Sequence, residues 1–149
     1  MKELHFEIKT FDELSKDELY KILRLRAEVF VVEQNCVYQD IDNKDQKALH
    51  LLGFKNQKLI AYTRLFDKGA YFDETSIGRV MVTENQRHFG YGHELIQKSI
   101  EGIENFFKTT TIKISAQCYL QAFYEKHGFH TIGEEYLEDG IPHIEMIKN

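Results

Sequence analysis

The sequence predicts one α+β domain over residues 1–149, built on a mixed sheet, with elements in the order β-α-β-β-β-α-β-α-β-β. Three observations carry that expectation. A chain of 149 residues has the length of a single domain, at about 100–200 residues each. No internal repeat, low-complexity tract or Gly/Ser linker divides it, and its one proline, Pro142, lies close to the end. Runs of adjacent strands are mixed with helical crossovers, which implies a mixed sheet rather than a doubly wound parallel one.

Each element has a local cause. Leu4, Phe6 and Ile8 alternate with His5, Glu7 and Lys9, the period-two pattern of a half-buried first strand. Ser15-Lys16-Asp17-Glu18 has the spacing of a capping box, so a helix follows, with Leu19, Ile22, Leu23, Arg26, Val29 and Phe30 as its stripe. Arg26 is the one polar residue on that face and needs a carboxylate partner such as Glu33. Arg24 is expected on the surface of the same helix. From Val32 to Lys47 periodicity gives way to acidic and amide residues, which reads as a long polar loop of the functional or mobile kind. Two apolar runs, His50–Phe54 and Leu59–Phe66, flank Lys55-Asn56-Gln57-Lys58 and predict a hairpin. Ile77–Val82 is nearly continuous and predicts a strand buried on both faces, with Gly78 permitting a bulge. From Gly92 onward Leu95, Ile96, Ser99, Ile100, Ile103, Phe106 and Phe107 recur at helical spacing. Thr111–Ala116 is then a strand, Leu120–Lys126 a short helix with a glycine exit at Gly128, and Phe129–Tyr136 and His143–Ile147 two final strands.

Composition excludes several classes of function. The balance of 19 Lys+Arg against 24 Asp+Glu, net −5, argues against a partner that tracks a nucleic-acid backbone, so any anionic ligand must be held locally. The two cysteines, Cys36 and Cys118, have no CxxC or Cys/His spacing, which argues against a disulfide scaffold or a metal site and suits a reducing cytoplasm. Charges interrupt the start, Met1–Glu7, as they do not in a signal peptide. No run reaches the roughly 18 apolar residues of a membrane span. The expectation is a cytoplasmic domain, free of metal, membrane and nucleic acid, that handles a small molecule.

The most informative segment runs from Val80 to His93, a strand leading through a short loop into a long helix. Its R-x-x-G-x-G, at Arg87, Gly90 and Gly92, sits where an anion site belongs. Helix N-termini carry unpaired N–H groups and partial positive charge, and glycines admit a bulky anion to the backbone. No Ser, Thr or Asp stands ready to cap this helix; Arg87 adds a positive fork, and His88 and His93 further donors. A tight turn before a helix is the plain alternative. A dinucleotide fingerprint would need glycine where Leu95 stands, and a P-loop would need G-K-[ST].

Here the chain resembles the GCN5-related N-acetyltransferase (GNAT) superfamily, whose acetyl-CoA signature is an apolar strand followed by Q/R-x-x-G-x-G/A at the start of a long helix. Ile112–Gln117 followed by Ala122-Phe123-Tyr124-Glu125-Lys126-His127-Gly128-Phe129 resembles the family's second conserved region. Val29–Cys36, Tyr38–Asp42 and Asp139–His143 are similar to its ElaA-type acyltransferase subgroup. The resemblance covers nearly the whole chain. It implies a central, mostly antiparallel mixed sheet flanked by helices and splayed between the fourth and fifth strands. The pantetheine arm of acetyl-CoA would lie in that opening along Val80, Met81 and Val82, with the pyrophosphate on Arg87, His88, Phe89, Gly90, Tyr91, Gly92 and His93. Gln117 and Tyr124 complete the implied binding set. Gln117 stands where many members have Asn, and Leu120 where many have Ala.

The activity implied is acetyl transfer to a primary amine of a small molecule or peptide, by direct attack through a tetrahedral intermediate. Tyr124 matches the tyrosine whose phenol protonates the leaving thiolate; as plain structure it is an aromatic packed beside Phe123. Candidate bases are Glu33, His143, Asp40, Asp42 and His50, each of which also reads as a solvated loop charge or a satisfied histidine. Cys118 has no visible base and reads as a small buried residue rather than a nucleophile. Two alternatives stay open. One is an acyl-homoserine-lactone-synthase-like acyltransferase, echoed by Arg26-Ala27-Glu28-Val29-Phe30 but lacking that family's tryptophan, and the other a CoA-binding regulator without turnover. Either a monomer or a homodimer is compatible with the sequence.

Overall fold

The computed structural model describes residues 4–149; Met1–Glu3, the start of the charge-interrupted N-terminal stretch, lie outside the described residues. The elements follow the predicted order: β1 (His5–Thr10), α1 (Lys16–Arg26), β2 (Leu49–Lys55), β3 (Lys58–Phe66), β4 (Ser76–Val82), α2 (Tyr91–Phe107), β5 (Ile112–Gln117), α3 (Gln121–Glu125), β6 (His130–Glu138) and β7 (Ile141–Lys148). The capping box forms, with the Glu18 N–H donating to Ser15 Oγ at 3.0 Å and the Ser15 N–H to Glu18 Oε1 at 2.8 Å. Between β2 and β3, Asn56 and Gln57 both adopt positive φ, 53° and 66°, the conformation a two-residue hairpin turn requires.

Two antiparallel sheets result, one in the order β1-β2-β3-β4 and the other β5-β7-β6. They join through an isolated parallel bridge, Thr75 to Ile112. There the Lys113 N–H donates to the Thr75 carbonyl at 2.9 Å and the Thr75 hydroxyl to the Thr111 carbonyl at 2.7 Å. Past this junction β4 and β5 are not hydrogen-bonded to each other, and a cleft lies between them. α2 holds the two halves together. Its Ile96, Ile100 and Ile103 pack with Leu65 and Ile77 of the first sheet and Ile112, Ile114, Ile144 and Met146 of the second. Each fully buried aliphatic side chain contributes about 1.5–3 kcal/mol. At Gly102 a β-carbon would come within 2.9 Å of Ile8 Cδ1 and 3.0 Å of Leu65 Cδ1, so the helix lies close to the strands and a side chain there would have to displace those two methyl groups. The opposite face of the first sheet is covered by α1, where Ile22, Leu25 and Val29 meet Leu52, Tyr62 and Met81.

Three local expectations are corrected. The first helix does not run as one α-helix through Phe30: α1 ends at Arg26 and continues as a π-helical turn, Ala27–Glu33. β4 is not buried on both faces, since Gly78, Arg79 and Val80 are half-buried at the cleft. Its bulge falls at Arg79 and Val80, which together oppose Thr63, and the left-handed residue is Arg79 (φ 49°) rather than Gly78.

The segment read as a polar loop is pinned from within. Arg26 Nε donates to Asp40 at 3.0 Å, and Asp40 accepts from Arg79 Nε at 2.8 Å. Arg79 lies 3.5 Å from Asp42, Asp42 accepts from Arg64 at 2.9 Å, and Arg64 and Arg26 both donate to Asp45, at 3.0 and 2.6 Å. Three guanidiniums and three carboxylates thus alternate in a closed ring whose charges cancel. Arg26 finds its partners here and not in Glu33, because Asp40 and Asp45 fold back over α1. The Arg26 and Arg64 side chains are 0% and 1% exposed, so removing any one partner strands a buried charge.

Burial alone would raise the Asp42 carboxyl, but hydrogen bonds and charge from Arg64, and charge from Arg79, outweigh it and hold the group at about 2. A carboxyl depressed in the folded state stabilises the fold above its ordinary titration range, and that stability is lost as pH falls. Urea denaturation should therefore show a loss of order 2 kcal/mol from this group between about pH 5 and pH 2. Asp42→Asn should be less stable at pH 7 and lack this portion of the pH dependence. An unchanged pH profile in the variant would show that the carboxylate is not held by the ring.

Candidate active site

The cleft between the sheets has a volume of about 720 Å³. One wall is β4 from Ile77 to Val82; the other is Ile114, Ser115 and Gln117 of β5 with Phe123 and Tyr124 of α3. Both β4 and β5 are edge strands of their sheets, so the walls present backbone groups with no neighbouring strand. The bulge at Arg79 and Val80 bends β4 at this point. Its left-handed non-glycine residue costs of order 1–3 kcal/mol. The Arg79 side chain holds it in place: Nε and Nη2 donate to Asp40 Oδ1 and the Asp40 carbonyl at 2.8 and 3.0 Å, and the guanidinium lies 5.6 Å from the Tyr38 ring.

At the upper end of β4 a 3₁₀ segment, Glu84–Phe89, leads to Gly90, which caps α2 in the left-handed conformation at φ 78°. The helix starts at Tyr91, one residue before the sequence reading, and no side chain caps it. The two glycines differ. Gly90 supplies the conformation, whereas a β-carbon at Gly92 would only reach ordinary contact with the Phe123 ring, at 3.4 Å. A 17-residue helix directs appreciable partial positive charge to this end.

Arg87 is not the open fork expected from the sequence. Its Nε donates to the Val82 carbonyl at 2.8 Å, and its two terminal nitrogens engage both carboxylate oxygens of Glu33, Nη2 at 2.9 Å from Oε1. The pair ties the start of α2 to the π-helical turn, and Glu33 is an ion-pair partner here. Gln117 makes a second tie on this side, its amide 3.3 Å from that of Gln34.

Val80, Met81, Val82, Arg87, Gly92, Gln117 and Tyr124 all line the cleft; His88, Phe89, Gly90, Tyr91 and His93 lie outside its lining. The His88 and Phe89 rings stack 4.1 Å apart, and His93 Nδ1 is 2.9 Å from His127 Nε2. Tyr124 is 5% exposed, set edge-on between Phe123 and Phe129, and no described residue hydrogen-bonds its hydroxyl. Burial pushes its phenol well above the ordinary value, so it holds its proton at neutral pH.

The candidate bases separate on inspection. His50 is buried away from the cleft, donating from Nε2 to the Asp45 carbonyl at 2.9 Å and accepting at Nδ1 from the Tyr62 hydroxyl at 2.5 Å. Burial pushes it down, so it stays neutral. Asp40 and Asp42 belong to the ring. His143 lines the cleft, with Nδ1 2.7 Å from the Ile141 carbonyl and Nε2 3.5 Å from Glu138. Cys118 is half-buried rather than buried, and its thiol, 3.4 Å from Glu135, is pushed up by desolvation and by that carboxylate, which disfavours the thiolate. The sequence reading missed Arg79, Ser115 and Glu138 as cleft residues. For Ser115 the signal was its period-two position with Gln117 on β5, whereas nothing local marks the other two. No group of three or more His, Cys, Asp or Glu among the described residues could hold a metal ion.

A family model described as an acetyltransferase (GNAT) domain matches residues 11–149. The solved structure of an acyl-CoA N-acyltransferase from Pseudomonas aeruginosa superposes with TM-score 0.92 at 40% identity, covering 99% of this chain and 100% of that one. Protein ElaA of Escherichia coli K12 is 44% identical over 138 residues, 91% of this chain and 90% of its own. The ElaA crystal structure has TM-score 0.92, with 99% of this chain and 100% of that one covered. The acyl-homoserine-lactone synthase LasI, at 12% identity and TM-score 0.76 over 99% of this chain and 90% of its own, shares the fold alone. The splayed sheet and the uncapped helix at its opening are those of an acyltransferase fold, and the chain belongs to the GNAT family. Within that family it is of the ElaA type.

Because nothing lies within 4 Å of a β-carbon built on Gly90 and its φ is +78°, Gly90→Ala should cost about 1–2 kcal/mol through backbone conformation alone. Urea denaturation measures this; a loss below about 0.3 kcal/mol would mean the turn relaxes out of the left-handed region.

Proposed function

We propose that the chain transfers an acetyl group from acetyl-CoA to a primary amine of a small molecule or peptide. The observation that carries this reading is the uncapped start of α2, behind left-handed Gly90, opening into a cleft whose far wall holds the proton-bearing Tyr124. The residues suit the donor. Gly90 and Gly92 leave the helix N-terminus clear for a pyrophosphate, and the β4 edge from Val80 to Val82 suits an extended arm with its own amides. Backbone N–H groups at the Arg79–Val80 bulge would face the thioester carbonyl, where preorganised donors stabilise an oxyanion by about 2.7–4 kcal/mol each.

The neutral amine's lone pair attacks the thioester carbon, giving a tetrahedral intermediate. As it collapses the carbon–sulfur bond breaks, the sulfur leaves with its electron pair, and the Tyr124 phenol protonates it. The nitrogen loses a proton in the same sequence and the phenol is reprotonated, leaving an amide and free CoA. Arg87 would exchange Glu33 for a phosphate on donor binding. No described helix is long and apolar enough to cross a membrane. We further read the chain as one cytoplasmic domain, monomer or homodimer, acting on neither nucleic acid nor membrane.

At a hundredfold excess over Kd, acetyl-CoA should stabilise the protein by about 2.7 kcal/mol, a rise in Tm of roughly 5–10 °C. An unchanged melt would refute donor binding. Tyr124→Phe should keep that rise and lower kcat by at least about a hundredfold; equal turnover would remove Tyr124 from the chemistry. Binding without free-thiol release for any amine would instead favour the regulator.

A further inference from the structure

The second sheet has two faces of opposite character. Ile112, Ile114, Ala116, Ile144 and Met146 enter the core with α2 and Tyr124. The register sets Gln117 beside His143 and His143 beside Tyr136 on the other face, which looks toward the segment after the π-helical turn through the Gln117–Gln34 contact and the Cys36 thiol donating to the Asp139 carbonyl at 3.3 Å. Donor-side features and this polar face therefore meet the cleft from opposite directions.

On that face the polar groups form a chain. Ser115 Oγ contacts the Tyr136 hydroxyl and lies 3.4 Å from Glu138 Oε1, and Glu138 Oε2 lies 3.5 Å from His143 Nε2. The His143 ring stacks on Tyr136, 6.0 Å between centroids. A carbonyl only accepts, so the 2.7 Å contact of Nδ1 with Ile141 places the proton of neutral His143 on Nδ1. Nε2 then carries a lone pair facing a carboxylate. Two acceptors at this separation, both at the cleft, are complementary to a donor with more than one N–H.

We propose that Glu138 and His143 form the acceptor site, Glu138 binding the ammonium of a primary alkylamine and His143 Nε2 removing its proton. The inference rests on the acetyl-transfer reading. In the step, one N–H bond of the ammonium breaks with its electron pair remaining on nitrogen, and a new N–H bond forms at Nε2. The amine becomes the neutral nucleophile, and the imidazolium stays paired with Glu138 until its proton passes to solvent. Of the other acids lining the cleft, Glu33 is committed to Arg87 and Asp42 to Arg64 and Arg79, while Asp139 sits in the turn between β6 and β7 with left-handed backbone. Glu138 has no such cation among the described residues, and its side chain is 42% exposed. The ionisable groups near Glu138 are Tyr136 on β6, which also feels Glu145 of β7, and Tyr71, which also feels Arg79; Glu145 lies 3.4 Å from Lys113.

The test compares putrescine with hydroxylamine, which is already neutral at pH 7 and needs neither an ammonium site nor a base. Thiol release is followed as a function of pH, beside the acetyl-CoA melt. His143→Gln should lower kcat/KM for putrescine by at least about a hundredfold and abolish its fall toward acidic pH. Turnover of hydroxylamine should stay within a few-fold and the acetyl-CoA melt unchanged. Glu138→Gln should raise KM for putrescine about tenfold or more and leave that for hydroxylamine nearly unaltered. Equal effects on both nucleophiles, no effect on either, or wild-type enzyme that acetylates hydroxylamine but not putrescine would overturn the proposal while sparing the donor reading. A wild-type melt unmoved by acetyl-CoA overturns both.

Discussion

The buried ring of Arg26, Asp40, Arg79, Asp42, Arg64 and Asp45 is the constraint on which the site depends. Desolvating an ion is costly, and a buried pair offsets this only when its hydrogen bonds are well made. Here each guanidinium meets two carboxylates and each carboxylate two guanidiniums, with no net charge left over. The ring fastens α1, β3 and β4 to an otherwise irregular segment. It also reaches the cleft directly, because the side chain of Arg79 is clamped where its backbone is left-handed and β4 bulges.

From that clamp the rest of the cleft follows. A bulged edge strand cannot pair with β5 along its length, and the sheets touch at the Thr75–Ile112 bridge and open beyond it. The opening is kept from closing or spreading by α2, which buries aliphatic side chains against both sheets. The same helix starts without a side-chain cap beside the opening, so the element that holds the sheets apart also brings unpaired backbone N–H groups to it. Across the cleft, the pleat of β5 and β7 sends apolar residues to the core and His143, Ser115 and Gln117 to the other side. The cleft is thus bordered by two faces of different character.

What was legible locally is what depends on local physics. The Ser15 capping box, the Asn56-Gln57 turn, the stripe of α2 and the R-x-x-G-x-G at its start all act within a few residues, and all appear where the pattern places them. The pattern of β4 points to a bulge at Gly78, since glycine is the residue that tolerates left-handed backbone most easily. It falls on Arg79 because a distant aspartate holds that side chain. Likewise Glu33 and Arg87 both stood out as site residues, yet their engagement with each other spans 54 positions of chain.

The sequence by itself determined the element order, the family and the loop and glycines that start α2, because periodicity, capping and glycine placement are short-range properties of the chain. Only the tertiary structure decided the partners of the charges: Arg26 with Asp40 and Asp45, Arg87 with Glu33, His143 with Glu138. Ion pairing is long-range along the chain and selective only through geometry. With 19 basic and 24 acidic residues, composition allows many pairings, and the fold leaves one.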